Sequence, residues 1–274
     1  MRVLVTNDDG VAAPGIHALA VGLDAAGFDV IVVAPDSDHS GYGAALGDLG
    51  RGSGLRTEPA SIPGAPHIEA HSLAGPPALC VLAAALGGFG EAPDLVASGI
   101  NPGNNTGRAV LHSGTVGAAL TAANVGMSGV AVSVATEGID LLTGEVADFS
   151  ASAEVAAAAV EWAVSAPART VLNVNLPAGP IEAMARARWA TLAPFGTVRA
   201  TLDPGSNGAL EMRVEETDEA LPPDCDTAVV AAGHVAVTCL TGIRADEWRP
   251  VAAAIDGRLA ARRDPSEAVV GGTG

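Results

Sequence analysis

The chain has 274 residues, a length that suits one large α/β domain or one domain with an appendage. Its formal net charge is −17 and all fourteen of its basic residues are arginine, so no basic stripe is present to track a nucleic-acid polymer. Hydrophobic residues make up 49% and aromatics only 3%, so the core must be built from Ala, Val, Leu and Ile, and association between copies is expected to add stability.

Residues 2–6 (RVLVT) read as a short buried strand that runs into the polar turn Asn7-Asp8-Asp9-Gly10. Pro14-Gly15 opens a helix with Ile16, Leu19, Ala20 and Leu23 at helical spacing, and Gly27 suits its end. Residues 29–34 (DVIVVA) are a second buried strand ending at Pro35-Asp36. Strand, helix and strand in so short a stretch make a βαβ unit, which predicts a parallel sheet. Residues 41–66 read as a long Gly/Ser/Pro-rich loop, 67–71 as a strand and 76–86 as a helix opened by prolines. Residues 94–98 are a strand, 99–114 a Gly/Asn-rich loop, 116–125 a helix of small residues and 129–134 a strand. Residues 147–165 form a helix with Val155, Ala159 and Trp162 on one stripe, followed by a strand at 170–175. Beyond about 185, residues 190–212 and 226–240 alternate in a strand-like way, which reads as an antiparallel β extension. The expected organisation is a single domain over 1–274. It comprises an α/β core to about 185, a β extension or oligomerisation arm over about 186–245, and a C-terminal helix and tail over about 246–274.

Cys80, Cys225 and Cys239 form no CxxC pair and are expected to be buried thiols in a reducing compartment. No secretory pattern follows Met1, and no uncharged apolar run reaches the roughly 18 residues of a membrane span. A cytoplasmic protein without a membrane partner is expected.

Three polar clusters follow predicted strands: Asn7-Asp8-Asp9-Gly10, then Asp36 through Gly41, then Ser98-Gly99-Ile100-Asn101. In a parallel sheet all strand C-termini lie on one edge, where ligands bind, so these distant segments converge. Adjacent carboxylates at a strand end repel unless a cation lies between them. The competing reading is that Asp8 or Asp9 caps a helix or turns the chain. With Ser40 and Asn101 the donor set is two carboxylates, a hydroxyl and an amide oxygen, all hard ligands suited to Mg²⁺, Mn²⁺ or Ca²⁺. Asn105-Thr106-Gly107 and His112-Ser113-Gly114-Thr115 precede the helix from Val116 and read as an anion site at a helix N-terminus, or as ordinary capping by Ser113 or Thr115. His39 and His112 lie inside these clusters as candidates for proton transfer or phosphate contact. A GxGxxG after the first strand, a Walker A lysine and a GxSxG elbow are all absent.

The segments VTNDDGVAAPGIHAL, VVAPDSDHSG and SGINPGNNTGRAVLHSGTVGAA, in this order, resemble the SurE family, the survival protein E type 5′/3′-nucleotidases. The resemblance runs through about residue 135 and more weakly to CDTAVVAAGHVAVTCL. It implies a Rossmann-like three-layer parallel core with a C-terminal antiparallel hairpin exchanged between subunits of a homodimer or homotetramer. It also implies a phosphomonoesterase of nucleoside 5′(3′)-monophosphates with one divalent cation per subunit, Mg²⁺ or Mn²⁺, held by Asp8, Asp9, Ser40 and Asn101. Its phosphate-contacting pattern falls on Asn105, Ser113, Gly114 and Thr115; beside it, the residues themselves suggest Asn7 and Gly41 as further substrate contacts and Asp8, Asp9 and His112 as catalytic groups. The family's tyrosine before Ser-Gly-Thr is His112 here, and its Gly-Thr-Pro-x-Asp-Cys segment reads Gly75-Pro76-Pro77-Ala78-Leu79-Cys80. The loop after Ser40 reads Gly41-Tyr42-Gly43-Ala44-Ala45 where further Ser and Thr are usual. These departures surround the metal ligands and open two alternatives: a phosphatase of a specialised phosphorylated metabolite, or a non-catalytic nucleotide- or metal-binding protein.

Overall fold

Arg2–Thr6 (β1) is a run of apolar residues buried on both faces, as strands of a parallel sheet covered by helices must be. In the computed structural model the described residues are 1–47, 54–136, 148–194, 198–204, 210–216, 220–242 and Ile255. Met1–Leu240 packs as one unit.

Pro14–Ala25 (α1) follows β1 and returns the chain to Asp29–Pro35 (β2), which pairs parallel to β1. Thr57–Ala60 (β3) and Glu69–Leu73 (β4) come next, with β4 parallel to β2 and β3 antiparallel on the outer edge. Pro77–Ala85 (α2) then crosses back to Leu95–Pro102 (β5), on the far side of β1. A 3-10 turn at Gly107–Leu111 leads into Gly114–Asn124 (α3) and Ser128–Val134 (β6). Ser150–Val164 (α4) and Val171–Leu176 (β7) complete the parallel part of the sheet. Ala187–Trp189 (β8), Val198–Pro204 (β9), Leu210–Glu216 (β10), Asp226–Ala231 (α5) and Val235–Leu240 (β11) follow. The main sheet has the order β3-β4-β2-β1-β5-β6-β7-β11-β8.

Three layers result. On one face Val3, Val5, Val30 and Val32 pack with Ile16 and Leu19 of α1 and Ala156 and Val160 of α4. On the other, Leu4, Ile31 and Val33 pack with Leu79 and Val81 of α2 and Ala118 and Ala122 of α3. Successive residues of β1 and β2 therefore serve opposite layers, as the strand period of two requires. The chain leaves β1 toward β2 and later returns to β5 on the opposite side. The strand order thus reverses between β1 and β5, and the crevice lies at their C-terminal ends.

Several expectations change. Residues 41–66 are not all loop, because β3 lies within them; residues 48–53 fall outside the described residues. β5 continues past 98 to Pro102 across a register shift between Ser98 and Asn101, so Asn101 sits on a strand. The buried stripe of α4 is Ala153, Ala156, Val160 and Ala163, while Trp162 is exposed. Residues 226–231 form a helix. β11 and β8 join the main sheet, β11 antiparallel to β7. Only β9 and β10 stand as a separate antiparallel pair. Cys80 and Cys225 are buried, whereas Cys239 is exposed. The expected C-terminal helix and tail lie outside the described residues apart from Ile255.

Gly15 sets how closely α1 approaches the sheet. A Cβ there would overlap the carbonyl oxygen of Ile100 on β5. Gly15→Ala is expected to push α1 off β5 and cost about 1–3 kcal/mol, the usual range for overpacking a tight contact. Urea denaturation of the variant and the parent checks this; equal midpoints would contradict the close approach.

Candidate functional site

Asn7, Asp8 and Asp9 leave the end of β1 in a tight turn. Asn7 is fully buried, and its amide closes on Gly10, donating to the Gly10 carbonyl at 3.0 Å and accepting from the Gly10 N–H at 3.2 Å. These two bonds fix the turn, and they leave the amide a second N–H and a further lone pair.

Asp8 is almost wholly buried, and its carboxylate meets the N-terminus of α3. Gly114 N–H donates to Oδ2 at 3.1 Å, and the Thr115 hydroxyl donates to Oδ1. Burial pushes the Asp8 carboxyl above its ordinary value, while the hydrogen bonds from Thr115 and Gly114 pull it back. Ser113 caps the same helix by accepting from Val116 N–H at 3.1 Å. The anion that this helix end receives is therefore Asp8 itself. Both sequence-based readings of the Ser-Gly-Thr run hold in part: Ser113 is a cap, and Gly114 with Thr115 is an anion nest filled by a carboxylate of the chain. The Gly114 N–H and the Thr115 hydroxyl are engaged by Asp8 in this structure. A Cβ at Gly114 would lie 2.6 Å from Asp8 Cβ, so only glycine admits this approach.

Asp9 has the opposite surroundings. It is half-buried, and its Oδ2 has no hydrogen-bond partner among the described residues. Burial first, then the charges of Asp8 and Asp38, push its carboxyl up to about 7. A buried carboxylate oxygen with no donor and two like charges nearby is compensated by a proton or by a cation.

The loop after β2 reaches Asp8 through His39, whose N–H donates to the Asp8 carbonyl at 2.7 Å. Gly43 N–H donates to the His112 carbonyl at 3.0 Å, fixing this loop on the turn before α3. Ser40 is exposed; its N–H and hydroxyl both donate to Asp38 Oδ1 at 2.7 Å. These bonds hold the Asp38 carboxyl below its ordinary value. Gly41 is exposed in the left-handed region with φ +86°. His39 packs edge-on against Tyr42 with ring centroids 5.0 Å apart. His112 is exposed immediately before the Ser113 cap.

Asn101 stands on β5, and its Nδ2 donates to the Gly103 carbonyl at 2.6 Å, which commits the amide nitrogen and leaves the oxygen as its donor atom toward a cation. Among the described residues no three His, Cys, Asp or Glu side chains gather as a ligand group. A cation between Asp8 and Asp9 would therefore draw its remaining ligands from neutral oxygens, as Ser40 and Asn101 offer. The donor chemistry and the unpartnered Asp9 oxygen both fit a hard divalent ion.

Asn105 lies apart from the carboxylates, on the loop between β5 and α3. It is held by β6 and β7 through Ser133, Asn173 and Asn175. Farther along the loop, Gly107 N–H donates at 2.8 Å to Asp226, a fully buried carboxylate that also accepts from Ala193 N–H at 2.9 Å. Asp38, Ser133, Asn173, Asn175 and Asp226 carry no role in the sequence-based reading. The signal for the asparagines is their alternation inside the apolar strand TVLNVN, which puts two amides on one buried face. A cavity of about 670 Å³ lined by Val134, Phe149, Gly179 and Ile181 contains none of the candidate site residues.

Residues 3–196 match the family model for Survival protein SurE. A protein named 5′-nucleotidase SurE from Solidesulfovibrio magneticus is 38% identical over 272 residues, covering 96% of this chain and all of that one. Another of the same name, from Stenotrophomonas maltophilia, is 36% identical over 250 residues, covering 87% and 88% of the two chains. The crystal structure of SurE protein from Aquifex aeolicus superposes with a TM-score of 0.72 at 26% identity, covering 96% of this chain and all of that one. With the parallel core, the separate β9–β10 pair and the Asp8–Asp9 rim in place, the chain belongs to the survival protein SurE family.

Proposed function

We propose that the protein is a metal-dependent phosphomonoesterase that hydrolyses nucleoside 5′(3′)-monophosphates to nucleoside and phosphate. The observation that carries this is Asp9: a buried carboxylate oxygen without a partner, next to Asp8, at the edge where the strand order reverses. The names of the relatives support the substrate class.

In this reading Asp8, Asp9, Ser40 and Asn101 hold one Mg²⁺ or Mn²⁺. A divalent ion there supplies Lewis acidity toward a phosphate oxygen and toward the attacking water. Thr115 and Gly114 hold the Asp8 carboxyl in place by their hydrogen bonds. Asp38 orients Ser40. Asp9 takes up a proton as water attacks phosphorus. Asn105, with Ser113 and Gly41, lines the place of the non-bridging oxygens, and His112 stands by the leaving oxygen as proton donor. The β9–β10 pair exposes Leu202, Leu210 and Met212, which suits an arm exchanged in a homodimer or homotetramer. Among the described residues no helix is long and apolar enough to cross a membrane, in keeping with a cytoplasmic site of action.

Asp8→Ala and Asp9→Asn are each expected to lower turnover by on the order of 100-fold or more, since each removes a charged ligand. The assay uses p-nitrophenyl phosphate and a panel of nucleoside monophosphates and sugar phosphates, with Mn²⁺ or Mg²⁺ and with EDTA. Full activity in EDTA sinks the metal role. Preference for a sugar phosphate over every nucleotide sinks the substrate class alone.

The Asp9 carboxyl also sets a pH dependence. Because it is raised to about 7, the metal-free fold favours its protonated form and loses that advantage as pH climbs through 7. A cation must displace the proton below that pH. Mn²⁺ affinity is therefore expected to fall roughly tenfold per pH unit below 7 and to level off above it, with one proton released per ion at pH 5.5. Calorimetric titrations in two buffers of different ionisation enthalpy read both quantities, and a pH-independent affinity between 5.5 and 7.5 contradicts the assignment.

A further inference from the structure

We propose that Asn175 and Asn173 are positioning residues that fix Asn105, and with it the phosphate-facing loop, through the Asn105 backbone. The proposal rests on the phosphate role given to Asn105 above. Asn175 Oδ1 accepts from Asn105 N–H at 2.7 Å. The Asn105 carbonyl accepts from Asn173 Nδ2 at 2.8 Å and from Asn175 Nδ2 at 3.1 Å. Its side chain donates to Ser133 Oγ at 2.8 Å. Every anchor comes from β6 or β7, and Ser133 pairs in register with Asn175.

Asn173, Asn175 and Ser133 have no exposed surface at all. Two amides buried inside an apolar strand oppose folding unless each polar atom finds a partner. Here the match is incomplete: Asn173 Oδ1 has no partner among the described residues, and neither does Thr238 Oγ1, opposite it on β11. An apolar pair at these positions would serve the sheet better. What the amides add is local, because one side chain carries both a donor and an acceptor and Asn175 uses both on the backbone of a single residue. The loop is also pinned before and after that residue, by Gly103 N–H on the Val134 carbonyl and Gly107 N–H on Asp226, each at 2.8 Å. Asn105 is thus set by the rigid sheet rather than by its own loop. Displacement of about 1 Å at such a residue is enough to cost on the order of 100-fold in rate.

The test separates phosphate from metal. Inorganic phosphate is used as a competitive inhibitor and Mn²⁺ binding is followed by calorimetry, in the full-length protein and in Asn175→Ala, Asn173→Ala, Ser133→Ala and Asn105→Ala. Asn175→Ala, which strips the N–H anchor, is expected to raise the phosphate inhibition constant at least tenfold while leaving the Mn²⁺ dissociation constant within twofold. Asn173→Ala is expected to do less, about threefold, because Asn175 still holds the carbonyl. A phosphate constant within twofold of the parent in folded Asn175→Ala overturns the proposal, and so does loss of Mn²⁺ affinity in step with phosphate affinity, which marks general damage. Should Asn175→Ala not fold, Asn173→Ala decides: it removes a donor to the Asn105 carbonyl, and a phosphate constant equal to the parent's there overturns the proposal. Asn105→Ala tells the two layers apart. If it leaves phosphate inhibition unchanged, the phosphate role of Asn105 fails; if it weakens inhibition and Asn175→Ala does not, only the positioning role fails.

Discussion

The arrangement depends on one contact, the Asp8 carboxylate seated on the N-terminus of α3. A carboxylate this deeply buried is unfavourable unless donors surround it. Gly114 N–H and the Thr115 hydroxyl supply them, and the positive end of the helix dipole adds to both. The contact joins residues far apart in the chain, tying the end of β1 to the start of the helix after β5. It also dictates sequence. Glycine is needed at 114 because a side chain would strike Asp8, a hydroxyl at 115 because the second oxygen needs a donor, and a cap at 113 because the helix must begin there. The loop carrying Ser40 is then drawn in through the main chain of the same aspartate, by way of His39 N–H.

Satisfying Asp8 leaves Asp9 in want of a partner. Neighbouring carboxylates in one turn cannot both face the helix end, and the second turns toward a rim that already carries Asp38. The chain has a net charge of −17, and among the described residues Asp9 Oδ2 has no donor to neutralise it. The local potential is therefore set to receive a small cation and, without one, to hold a proton. An anionic substrate approaching so acidic a protein meets repulsion unless that cation is present. In the proposed reading metal binding and substrate binding would share one electrostatic origin, and neutral donors such as Ser40 and Asn101 would add no further charge.

Much of this was legible in the amino-acid sequence, for identifiable reasons. β1, β2 and β5 are inner strands of a parallel sheet, so each carries a short apolar run followed by polar residues at the edge where the candidate site lies. That rule brought the Asp8, Ser40 and Asn101 segments together, and the family resemblance sharpened it. The C-terminal third was less readable. α5 is only one and a half turns long, too short for a helical period to emerge, and its alternation with the residues before β11 mimics a strand. α4 buries alanines rather than its largest side chain, so Trp162 misled the choice of face. The turn-closing role of Asn7 is not legible, because an asparagine that closes its own turn and one that reaches a ligand look the same in sequence. The β7 asparagines were missed for a different reason: their partner is the backbone of Asn105, and a backbone group leaves no trace in composition or spacing.

That last point bears on how the two halves of the rim are built. The cation side rests on charge, with Asp8 held by a helix end and Asp9 left open, so its affinity follows pH and metal. The Asn105 side rests on neutral amides and a hydroxyl from β6 and β7, which keep the same state across the pH range where Asp9 titrates. A carboxylate at position 175 would accept from the Asn105 N–H but could not, when ionised, donate to its carbonyl, and it would place a further negative charge next to the loop given to the phosphate. An apolar residue would leave the N–H without its acceptor. Asparagine alone among small side chains closes both ends of one residue's backbone without charge. The fully buried Asp226 is tolerated because its oxygens face Gly107, Ala193 and Thr227 N–H groups. One loop is thereby held by uncharged groups of β6 and β7 at Asn105 and by the Asp226 carboxyl of α5 at Gly107, so the sheet sets its position on one side and the helix on the other.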